Sequence, residues 1–428
     1  MLASSSMPSS SKKSTMMRSS KRAALLLTVG VLGIAGSLFA AGPVPKSEPN
    51  FYAPTGYFAS LAQELRVAAK NGSTVSIVQL GDSHIQAGHT TAPLRASLQA
   101  SFGDAGRGWI GWYSLYGSNS PRDYRVTSSG FGWQRELILK PEGTRPMGLG
   151  GYVLSTRPNS RFTIGVTFSD HPFRQMHLVR TASSLPLTAF PLAELRTGRF
   201  STGAYVVDTL SWRSPYTSVT LTGAEENDAD EAVYAGCVLL SGKGGVLVHD
   251  IGINGAAYRH YALADYVEQL SLLEPQLLIL SMGTNDCYST RFQIADFTES
   301  LEQMLMLVKE ILPKTKILLT TPPPSFFRQA STHYVVTGRR RKHRKKVTTM
   351  TYRFNENAAR VSEEIMRRAE LHGVAAFDLF SAMGGQSGIN SWIADGLMAG
   401  DRVHYSRDGY ERQGRLITSA LERALSIR

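Results

Sequence analysis

Short apolar runs alternate along the chain with longer segments in which apolar residues recur at helical spacing. A short apolar run is typical of a buried strand, and a longer segment with a period near 3.6 residues is typical of an amphipathic helix. The sequence therefore predicts strands at 75–80, 246–251, 276–282, 316–321 and 374–379, and helices at 57–70, 258–273, 297–312, 351–372 and 408–426. Because such alternation builds a parallel sheet covered on both faces, we expect an α/β fold with three α/β/α layers.

A different pattern fills residues 103–245, which we call the β-module. Short alternating runs such as Phe162–Phe168 and Ser218–Leu221 are separated there by Gly, Pro and Ser. This texture is typical of an all-β sandwich or jelly roll. A crossover between parallel strands needs only about a dozen residues, so the β-module is predicted to be an insertion. It divides the predicted α/β domain into residues 55–102 and 246–428.

The N-terminal part of the chain falls into three segments of different composition. Residues 1–22 are Ser-rich and basic, residues 23–41 are apolar and long enough to cross a bilayer, and residues 42–54 form a Pro-containing linker. A basic segment before an apolar one predicts either a signal peptide or a retained membrane anchor. Both stay open, because Leu38 and Phe39 are larger than the residues that signal peptidase prefers. Either reading predicts an exported protein, periplasmic or anchored to the outer face of the cytoplasmic membrane.

The formal net charge of +12 is confined to two short segments. Residues 1–22 carry five Lys and Arg residues, and residues 339–346 carry seven, with no acidic residue in either. The remainder of the chain is formally balanced, so the charge does not predict nucleic-acid binding. The two cysteines, Cys237 and Cys287, lie far apart in sequence, and this one pair gives no prediction about a disulfide.

Polar motifs follow three of the predicted strands. Gly81-Asp82-Ser83-His84 follows strand 75–80, Gly252-Ile253-Asn254-Gly255 follows strand 246–251, and Gly283-Thr284-Asn285-Asp286 follows strand 276–282. The carboxyl ends of parallel strands meet at one edge of a sheet, where ligands bind. A fourth motif, Asp401-Arg402-Val403-His404, precedes the last helix. Each motif alone could be a turn or a helix cap, but their conjunction and order favour a shared site.

The four motifs supply the groups that acyl transfer needs. Ser83 is the candidate nucleophile, His404 the candidate base, and Asp401 the group that orients the imidazole. The backbone N–H of Ser83 and the amide of Asn285 are candidate donors to an oxyanion. The turn at 252–255 adds a backbone N–H from Gly255, with Gly252 as the competing choice. The sequence thus predicts a serine esterase.

The four motifs resemble the four blocks of the GDSL, or SGNH, hydrolases, over residues 75–88 and 246–428. The resemblance implies a flavodoxin-like α/β/α fold, ester hydrolysis, and the same roles for Ser83, Asp401, His404, Gly255 and Asn285. His84 stands where the family usually has Leu.

Two further stretches, Gly81–Gln86 and Phe102–Gly108, and the early insertion are similar to exported bacterial peptidoglycan O-acetylesterases. That resemblance implies a carbohydrate-binding β-module and an acetylated glycan substrate, namely peptidoglycan. The same catalytic set also fits an O-acetyltransferase, and a catalytically inert glycan-binding scaffold is the third alternative.

Several residues near these motifs have more than one interpretation. Trp109 and Trp112 are tentative sugar-binding residues, although a place in the core is commoner for such aromatics. His84 is a tentative substrate-binding residue that could line the acyl pocket. A metal site at Asp82, His84 and His89 lacks a second ligand pair at a spacing that zinc favours, so we expect no metal and no cofactor. Residues 339–346 follow a predicted strand end, which predicts a solvated loop beside the site. An anionic polymer is the alternative partner of that loop.

Overall fold

The computed structural model describes residues 50–427, apart from 130–132, 141–144, 157–160, 169–170, 203, 224–231 and 338–342. The predicted segments 1–22 and 23–41 and most of the linker 42–54 lie outside the described residues, as do Arg339, Arg340, Arg341 and Lys342. Within the described part, no helix combines the length and apolar character needed to cross a membrane.

The helices and strands follow one another along nearly the whole described part of the chain. The helices are α1 (Ala59–Asn71), α2 (Ser83–Gln86), α3 (Ala92–Phe102), α4 (Tyr258–Tyr261), α5 (Ala264–Leu270), α6 (Thr284–Cys287), α7 (Ile294–Ile311), α8 (Glu356–His372), α9 (Leu379–Ala382), α10 (Gly385–Ala394) and α11 (Arg407–Ala424). The strands are β1 (Phe51–Tyr52), β2 (Thr74–Gly81), β3 (Gly108–Ile110), β4 (Arg125–Ser129), β5 (Gln134–Leu137), β6 (Tyr152–Ser155), β7 (Thr163–Thr167), β8 (Phe173–Thr181), β9 (Thr188–Phe190), β10 (Glu194–Thr202), β11 (Tyr205–Tyr216), β12 (Ser218–Thr222), β13 (Val233–Leu240), β14 (Gly245–Gly252), β15 (Pro275–Ser281), β16 (Lys316–Thr320), β17 (Phe326–Thr337), β18 (His343–Phe354) and β19 (Ala375–Phe377). Short 3₁₀ turns lie at Tyr113–Tyr116 and Ser271–Leu273.

The central sheet has the strand order β1-β19-β16-β15-β2-β14. Its neighbours pair in parallel, except that the short edge strand β1 is antiparallel to β19. Strand β2 lies between β14 and β15, and its last residue, Gly81, is in register with Gly252 and Ser281. The ends of these three strands, which carry three of the four motifs, are therefore side by side.

The side chains of the central sheet alternate between two cores, as the period of two along a strand requires. Ile77 lies in a cluster with residues of α1, α3 and α11, whereas its neighbour Val78 lies in a cluster with residues of α5, α7 and α8. Helices thus cover both faces of the sheet. This confirms the predicted three-layer α/β/α fold.

The β-module contains two antiparallel sheets, as the alternating pattern predicts. One has the order β10-β11-β8-β13-β6-β5 with β3 also paired to β13, and the other has the order β4-β7-β12-β9. The ring of Phe162, beside β7, lies 5.8 Å from that of Tyr234 in β13, so the two sheets share a core. An all-β insertion in an α/β domain is therefore confirmed.

Buried charges join the start of the β-module to the central sheet. Asp250 in β14 accepts hydrogen bonds from Arg95 in α3, at 2.8 Å, and from Arg107 at the entry to the module. Arg107 also pairs with Asp123 at 2.8 Å. Loss of one partner would leave a buried charge uncompensated, which typically costs about 3–5 kcal/mol. This network therefore fixes the module beside the carboxyl edge of the sheet.

Three predicted features are wrong. The basic run 339–346 is predicted to lie in a loop, but its described residues lie in β18. Helix 351–372 is predicted to begin at Thr351. Instead β17 and β18 pair antiparallel from Phe326↔Phe354 to Thr337↔His343, and α8 begins at Glu356. Thr351 and its neighbours are paired as a strand, so the helix cannot begin there. It begins after Asn355, whose side chain caps α8 by accepting the backbone N–H of Asn357. Helix 258–273 is also divided into α4, α5 and a 3₁₀ turn.

Candidate active site

Ser83 begins a short helix directly after the central strand β2. Asp82 caps this helix, and its Oδ1 accepts the backbone N–H of His84 at 2.9 Å. A Cβ on Gly81 would lie 2.6 Å from the carbonyl oxygen of Ser281, so the sharp turn from strand to helix needs glycine there. The turn places the Ser83 hydroxyl at the carboxyl edge of the sheet.

The loop before α11 brings His404 and Asp401 to that hydroxyl. Ser83 Oγ lies 2.9 Å from His404 Nε2, and His404 Nδ1 lies 2.8 Å from Asp401 Oδ2. Because the carboxylate accepts the Nδ1 proton, Nε2 is left as the acceptor for the serine hydroxyl. Ser83, His404 and Asp401 thus form one hydrogen-bonded chain across 321 residues of sequence.

Asp401 is held as a carboxylate by its surroundings. Partial burial opposes its ionisation, but hydrogen bonds from the His404 ring and from the backbone N–H groups of His404 and Val403 outweigh it, lowering the pKa of Asp401 to about 2. Arg402 between them has a φ of 61°, in the left-handed region that side chains rarely adopt. This tight turn brings the Asp401 carboxylate into hydrogen-bond contact with the His404 imidazole, three residues later in the sequence.

Gly255 and Gly252 differ in what the structure requires of them. Gly255 has a φ of 87° and lines the same depression as Ser83, Asn285 and His404. Gly252 lies at the buried end of β14, where its N–H is 3.4 Å from the Tyr113 hydroxyl and a Cβ would lie 2.6 Å from the Asp82 carbonyl oxygen. Only Gly255 is thus placed to offer its backbone to a ligand at Ser83.

Asn285 lies opposite, on α6 after strand β15. Its Nδ2 donates to the carbonyl oxygen of Ala256 at 2.9 Å and to Asp82 Oδ2 at 3.2 Å. The Asn285 amide therefore already has two protein acceptors. Service as an oxyanion donor requires Asn285 to share or exchange one of these bonds, and the longer bond to Asp82 is the weaker of the two.

Asp82 is buried beneath the serine and lies close to a second acid. Desolvation is the main cause that raises its pKa, to about 7, with a smaller contribution from Asp286 and opposing hydrogen bonds from the His84 N–H and Asn285. Burial likewise raises the pKa of Asp286 to about 6, and its carboxyl oxygens accept the N–H of Tyr258 at the start of α4. Both carboxyl groups hold site elements in place.

The structure places His84 behind the catalytic histidine, buried at 6% exposure. Burial lowers the pKa of His84 to about 3, with a further contribution from His404, so its ring is neutral at physiological pH. Its side chain lines a small internal cavity together with residues such as Thr321, Gln413 and Ile417. Burial of the ring therefore argues against the tentative role of His84 as a direct substrate contact.

Trp109 and Trp112 are also unavailable to a substrate. Both are fully buried, at 0% exposure, in the core of the β-module, and Trp112 packs against Trp133 and Tyr234. The tentative assignment of these two residues to sugar binding is therefore wrong. A stacking platform needs an exposed ring face, and these faces are covered by core side chains.

Two open depressions flank the serine. One is lined by Asn119, Asn254, Gly255 and Tyr410, and the other by Tyr288, Arg328, Asp401 and Val403, while Ser83, Asn285 and His404 border both. Their volumes, about 540 and 360 Å³ respectively, are within the usual range of ligand pockets. Together they form a groove that runs past Ser83, from the β-module to the hairpin β17–β18.

The β-module contributes Asn119 to one end of this groove, where Gln86 of the α/β domain holds it by hydrogen bonds. The buried Gln86 amide donates to Ser118 Oγ and to the carbonyl and side-chain oxygens of Asn119, all within 2.9 Å. Its Oε1 accepts the N–H of Asn254 at 2.8 Å, and Asn254 Nδ2 donates to Asn119 Oδ1 at 2.7 Å. Sequence reasoning does not find Asn119, because only the folded insertion brings it to the catalytic edge.

Among the described side chains, no three of His, Cys, Asp and Glu converge in a way that could hold a metal ion. Cys237 and Cys287 are free thiols and both are buried.

The fold is that of the SGNH hydrolases, and the carboxyl edge of its sheet carries a hydroxyl, an imidazole and a carboxylate in one hydrogen-bonded chain. Residues 237–412 match the GDSL-like lipase/acylhydrolase family. The match contains Asn285, Asp401 and His404, while Ser83 lies before it because the β-module intervenes. This match and the fold confirm the predicted resemblance to these hydrolases and the predicted class of enzyme, a carboxylic ester hydrolase.

The chain is similar to several solved structures. The structure of a peptidoglycan O-acetylesterase shares this fold: it is 23% identical, with 86% of this chain and 96% of that chain covered and a TM-score of 0.67. A lipase/acylhydrolase from Enterococcus faecalis is 21% identical, covering 42% of this chain and 76% of its own, with a TM-score of 0.29. A protein from Bacillus subtilis is 16% identical, with coverages of 71% and 89% and a TM-score of 0.32. No curated protein sequence matches the chain significantly.

Proposed function

We propose that the protein is an exported O-acetylesterase that removes acetyl groups from peptidoglycan through an acyl-serine intermediate. The observation that carries the proposal is the hydrogen-bonded chain Ser83–His404–Asp401 in an open groove. The 86% coverage by the peptidoglycan O-acetylesterase supports the substrate class, because it exceeds the α/β domain alone and so includes much of the β-module.

Acylation begins at the serine hydroxyl. Ser83 Oγ attacks the carbonyl carbon of the acetyl ester while His404 Nε2 takes the hydroxyl proton. Asp401, ionised because of its lowered pKa, offsets the positive charge that the imidazole acquires. The oxyanion receives hydrogen bonds from the backbone N–H groups of Ser83 and Gly255 and from Asn285.

Collapse of the tetrahedral intermediate breaks the bond to the sugar oxygen. His404 gives its proton to that oxygen, the sugar leaves as an alcohol, and the acetyl group stays on Ser83. A water molecule then attacks the acetyl carbonyl, with His404 again acting as the base. Acetate is released, and the proton returns to the serine oxygen.

The open shape of the site fits a polymeric substrate. The His404 side chain is 41% exposed, and both flanking depressions are continuous with solvent. A glycan strand can therefore extend past Ser83 in both directions, while only the acetyl group needs to reach the serine. The polar end of the groove at Asn119 and Asn254 offers amide groups suited to sugar hydroxyl and acetamido groups.

The leader sequence supports the location. A basic segment followed by the apolar residues 23–41 is the arrangement of a signal peptide or membrane anchor, and it would deliver the catalytic domain to the cell wall. Detection of the protein in periplasmic or membrane fractions, with the active site accessible from outside the cytoplasm, tests this part.

The function is tested by acetate release from purified O-acetylated peptidoglycan, with acetylated xylan as the competing polymer and Ser83→Ala as the control. We expect the wild type to prefer peptidoglycan and Ser83→Ala to release no acetate above background. Equal or faster release from xylan would remove the assignment to peptidoglycan and leave the esterase in place. Acetylated sugar formed from an added chito-oligosaccharide would instead identify an acetyltransferase.

A further inference from the structure

The hairpin β17–β18 forms a two-stranded sheet of its own. It joins the α/β domain at Ser325 and Asn355, where the Asn355 N–H donates to the Ser325 carbonyl oxygen at 2.9 Å. Beyond Phe327 and before Phe354, almost all of its described side chains are exposed. A two-stranded hairpin is marginally stable without a partner, so an extended one that is exposed on both sides calls for an explanation.

Pairing in register sorts the hairpin residues onto two faces. Arg328 pairs with Tyr352, Tyr334 with Lys346, and Val336 with Arg344. Because successive side chains alternate, these residues share one face, which we call the Arg328 face. Lys345, next to Lys346 in sequence, pairs with Val335 on the opposite face.

The Arg328 face begins at the active site. Arg328 borders the depression that also contains Ser83 and His404. The Tyr352 hydroxyl donates to the Gly400 carbonyl oxygen at 2.7 Å, and the Arg402 guanidinium lies 5.8 Å from the centre of the Tyr352 ring. This face is therefore continuous with the loop that carries Asp401 and His404.

The hairpin has no acidic residue of its own to offset its positive charges. The sequence from Phe326 to Phe354 contains no Asp or Glu. Within the described residues, Arg328, Arg344 and Lys346 take part in no ion pair with an acidic side chain, although the strands hold them at fixed spacing. A row of exposed cations beside a substrate groove attracts an anionic ligand and raises its local concentration.

The Arg328 face also has exposed rings and a length that suits a short peptide. Tyr334 is 64% exposed and Tyr352 is 40% exposed. The seven residues from Arg328 to Tyr334 are separated by six steps of ~3.3 Å, so they span about 20 Å. An extended peptide of about five residues spans ~17 Å. Its carboxylates would thus meet Arg328 near the serine and Lys346 or Arg344 further out.

We propose that the Arg328 face binds the carboxylate-bearing stem peptides of the peptidoglycan strand whose acetylated sugar occupies the groove at Ser83. This inference rests on the proposed function. It assigns the hairpin a separate role, because the hairpin holds the polymer and contributes nothing to ester cleavage itself. Small esters without a stem peptide would therefore be cleaved without its help.

The test compares Lys346→Glu with its neighbour Lys345→Glu. The two variants carry the same charge change on the same strand and differ only in the face that they alter. At low ionic strength, we expect Lys346→Glu to lower kcat/KM for O-acetylated peptidoglycan by roughly three- to tenfold, mainly through KM, and Lys345→Glu by less than about twofold. Arg344→Glu should act like Lys346→Glu, and all three should cleave p-nitrophenyl acetate like the wild type.

Modified substrate supplies the second arm. Peptidoglycan with its carboxyl groups converted to amides should be cleaved more slowly than native peptidoglycan by the wild type, and Lys346→Glu should no longer differ from Lys345→Glu on it. Equal losses in both Lys variants, or equal rates on native and amidated polymer, would overturn the proposal. So would a preference of this face for vesicles of anionic lipid over peptidoglycan.

Co-sedimentation with insoluble peptidoglycan separates this inference from the proposed function, because it requires no turnover. The full chain carrying Ser83→Ala should co-sediment, and the added change Lys346→Glu should weaken binding more than Lys345→Glu does. If the protein binds in this manner but releases no acetate from peptidoglycan, the docking surface stands and the proposed substrate fails. If acetate is released but binding is the same in both variants, only the docking surface fails.

Discussion

The imidazole rings of His84 and His404 are stacked, with centroids 5.4 Å apart and an angle of 29° between their planes. His84 is neutral, because burial lowers its pKa to about 3, and neither of its ring nitrogens has a hydrogen-bond partner within the described structure. The ring therefore acts as a flat, uncharged support for the catalytic base. It adds no positive charge that would oppose proton transfer from Ser83 to His404.

Removal of this support is predicted to affect turnover more than binding. His84→Ala leaves a cavity beside His404, so we expect kcat to fall by about tenfold or more with little change in KM. His84→Leu restores an apolar side chain of similar volume and should keep kcat within about threefold of the wild type. Steady-state kinetics with p-nitrophenyl acetate measures both variants. A leucine variant as inactive as the alanine variant would show that the imidazole nitrogens themselves take part.

Asn285 is predicted to stabilise the transition state. Asn285→Ala removes an amide donor at the oxyanion and should lower kcat by about a hundredfold or more. Asn254→Ala, on the neighbouring strand end, is the matched control and should have a much smaller effect on a small ester. Comparable losses in the two variants would indicate disruption of the groove and contradict a specific role for Asn285.

Asp82 predicts a pH dependence of stability with a definite sign. Burial raises its pKa from an ordinary value of 3.8 to about 7 in the folded protein, so the folded state keeps a proton that the unfolded chain loses. The free energy of unfolding therefore falls as pH rises from about 4 to 7, by at most about 4 kcal/mol from this group. Asp286, with a pKa of about 6, acts in the same direction.

The Asp82→Asn variant lacks the contribution of Asp82 to the decrease in the free energy of unfolding with pH, while the contribution of Asp286 remains. Urea unfolding at several pH values should give a flatter profile between about pH 4 and 7 than in the wild type, so that the wild type loses stability relative to the variant as pH rises. Parallel profiles would show that Asp82 titrates near its ordinary value in the folded protein.

Gln86 is predicted to couple the β-module to the active site. Gln86→Leu leaves Asn119 and the Asn254 N–H without their amide partner, so we expect a loss of about 1–3 kcal/mol in stability. The position of Asn119 in the groove should loosen as well, and activity on peptidoglycan should fall more than activity on p-nitrophenyl acetate. Thermal unfolding together with the two assays checks this, and equal activity losses on both esters would contradict the coupling.

The central sheet and the four motifs could be predicted because their signals are local. Buried strands such as β2 are mostly apolar, and Ser83, Gly255 and Asn285 follow such strands within a few residues. The topology of parallel strands then places their ends together without knowledge of any side-chain contact. The local pattern could not predict how Asp401 and His404 approach Ser83, because that approach depends on the tertiary position of their loop.

The hairpin escapes prediction because its strands are stabilised by each other and not by a core. Thr351 and Tyr352 lie next to a true helix, and the amphipathic pattern of α8 extends backwards through them. The signal that marks the helix start is Asn355, a residue suited to an N-cap, directly before Glu356. The enrichment in β-branched and aromatic residues on both sides of Gly338 is a second signal.

The burial of Trp109 and Trp112 could not be decided from sequence, because an aromatic cluster in a β-domain can face either the core or a ligand. Whether these two side chains are buried depends on the second sheet of the β-module and on residues far along the chain, such as Tyr234. For the same reason, the sequence does not indicate that Asn119 and Arg328 lie at the groove. Both reach it from segments that lie outside the four motifs.

The most direct test of the account is to identify the residue that becomes acetylated during turnover. The protein is mixed with p-nitrophenyl acetate, quenched in acid within the first turnovers, digested and analysed by mass spectrometry. We predict an acetyl group on the peptide that contains Ser83, localised to that serine, and neither adduct nor turnover in Ser83→Ala. Continued ester cleavage by Ser83→Ala, or a transient acetyl group on a different residue, would contradict the account.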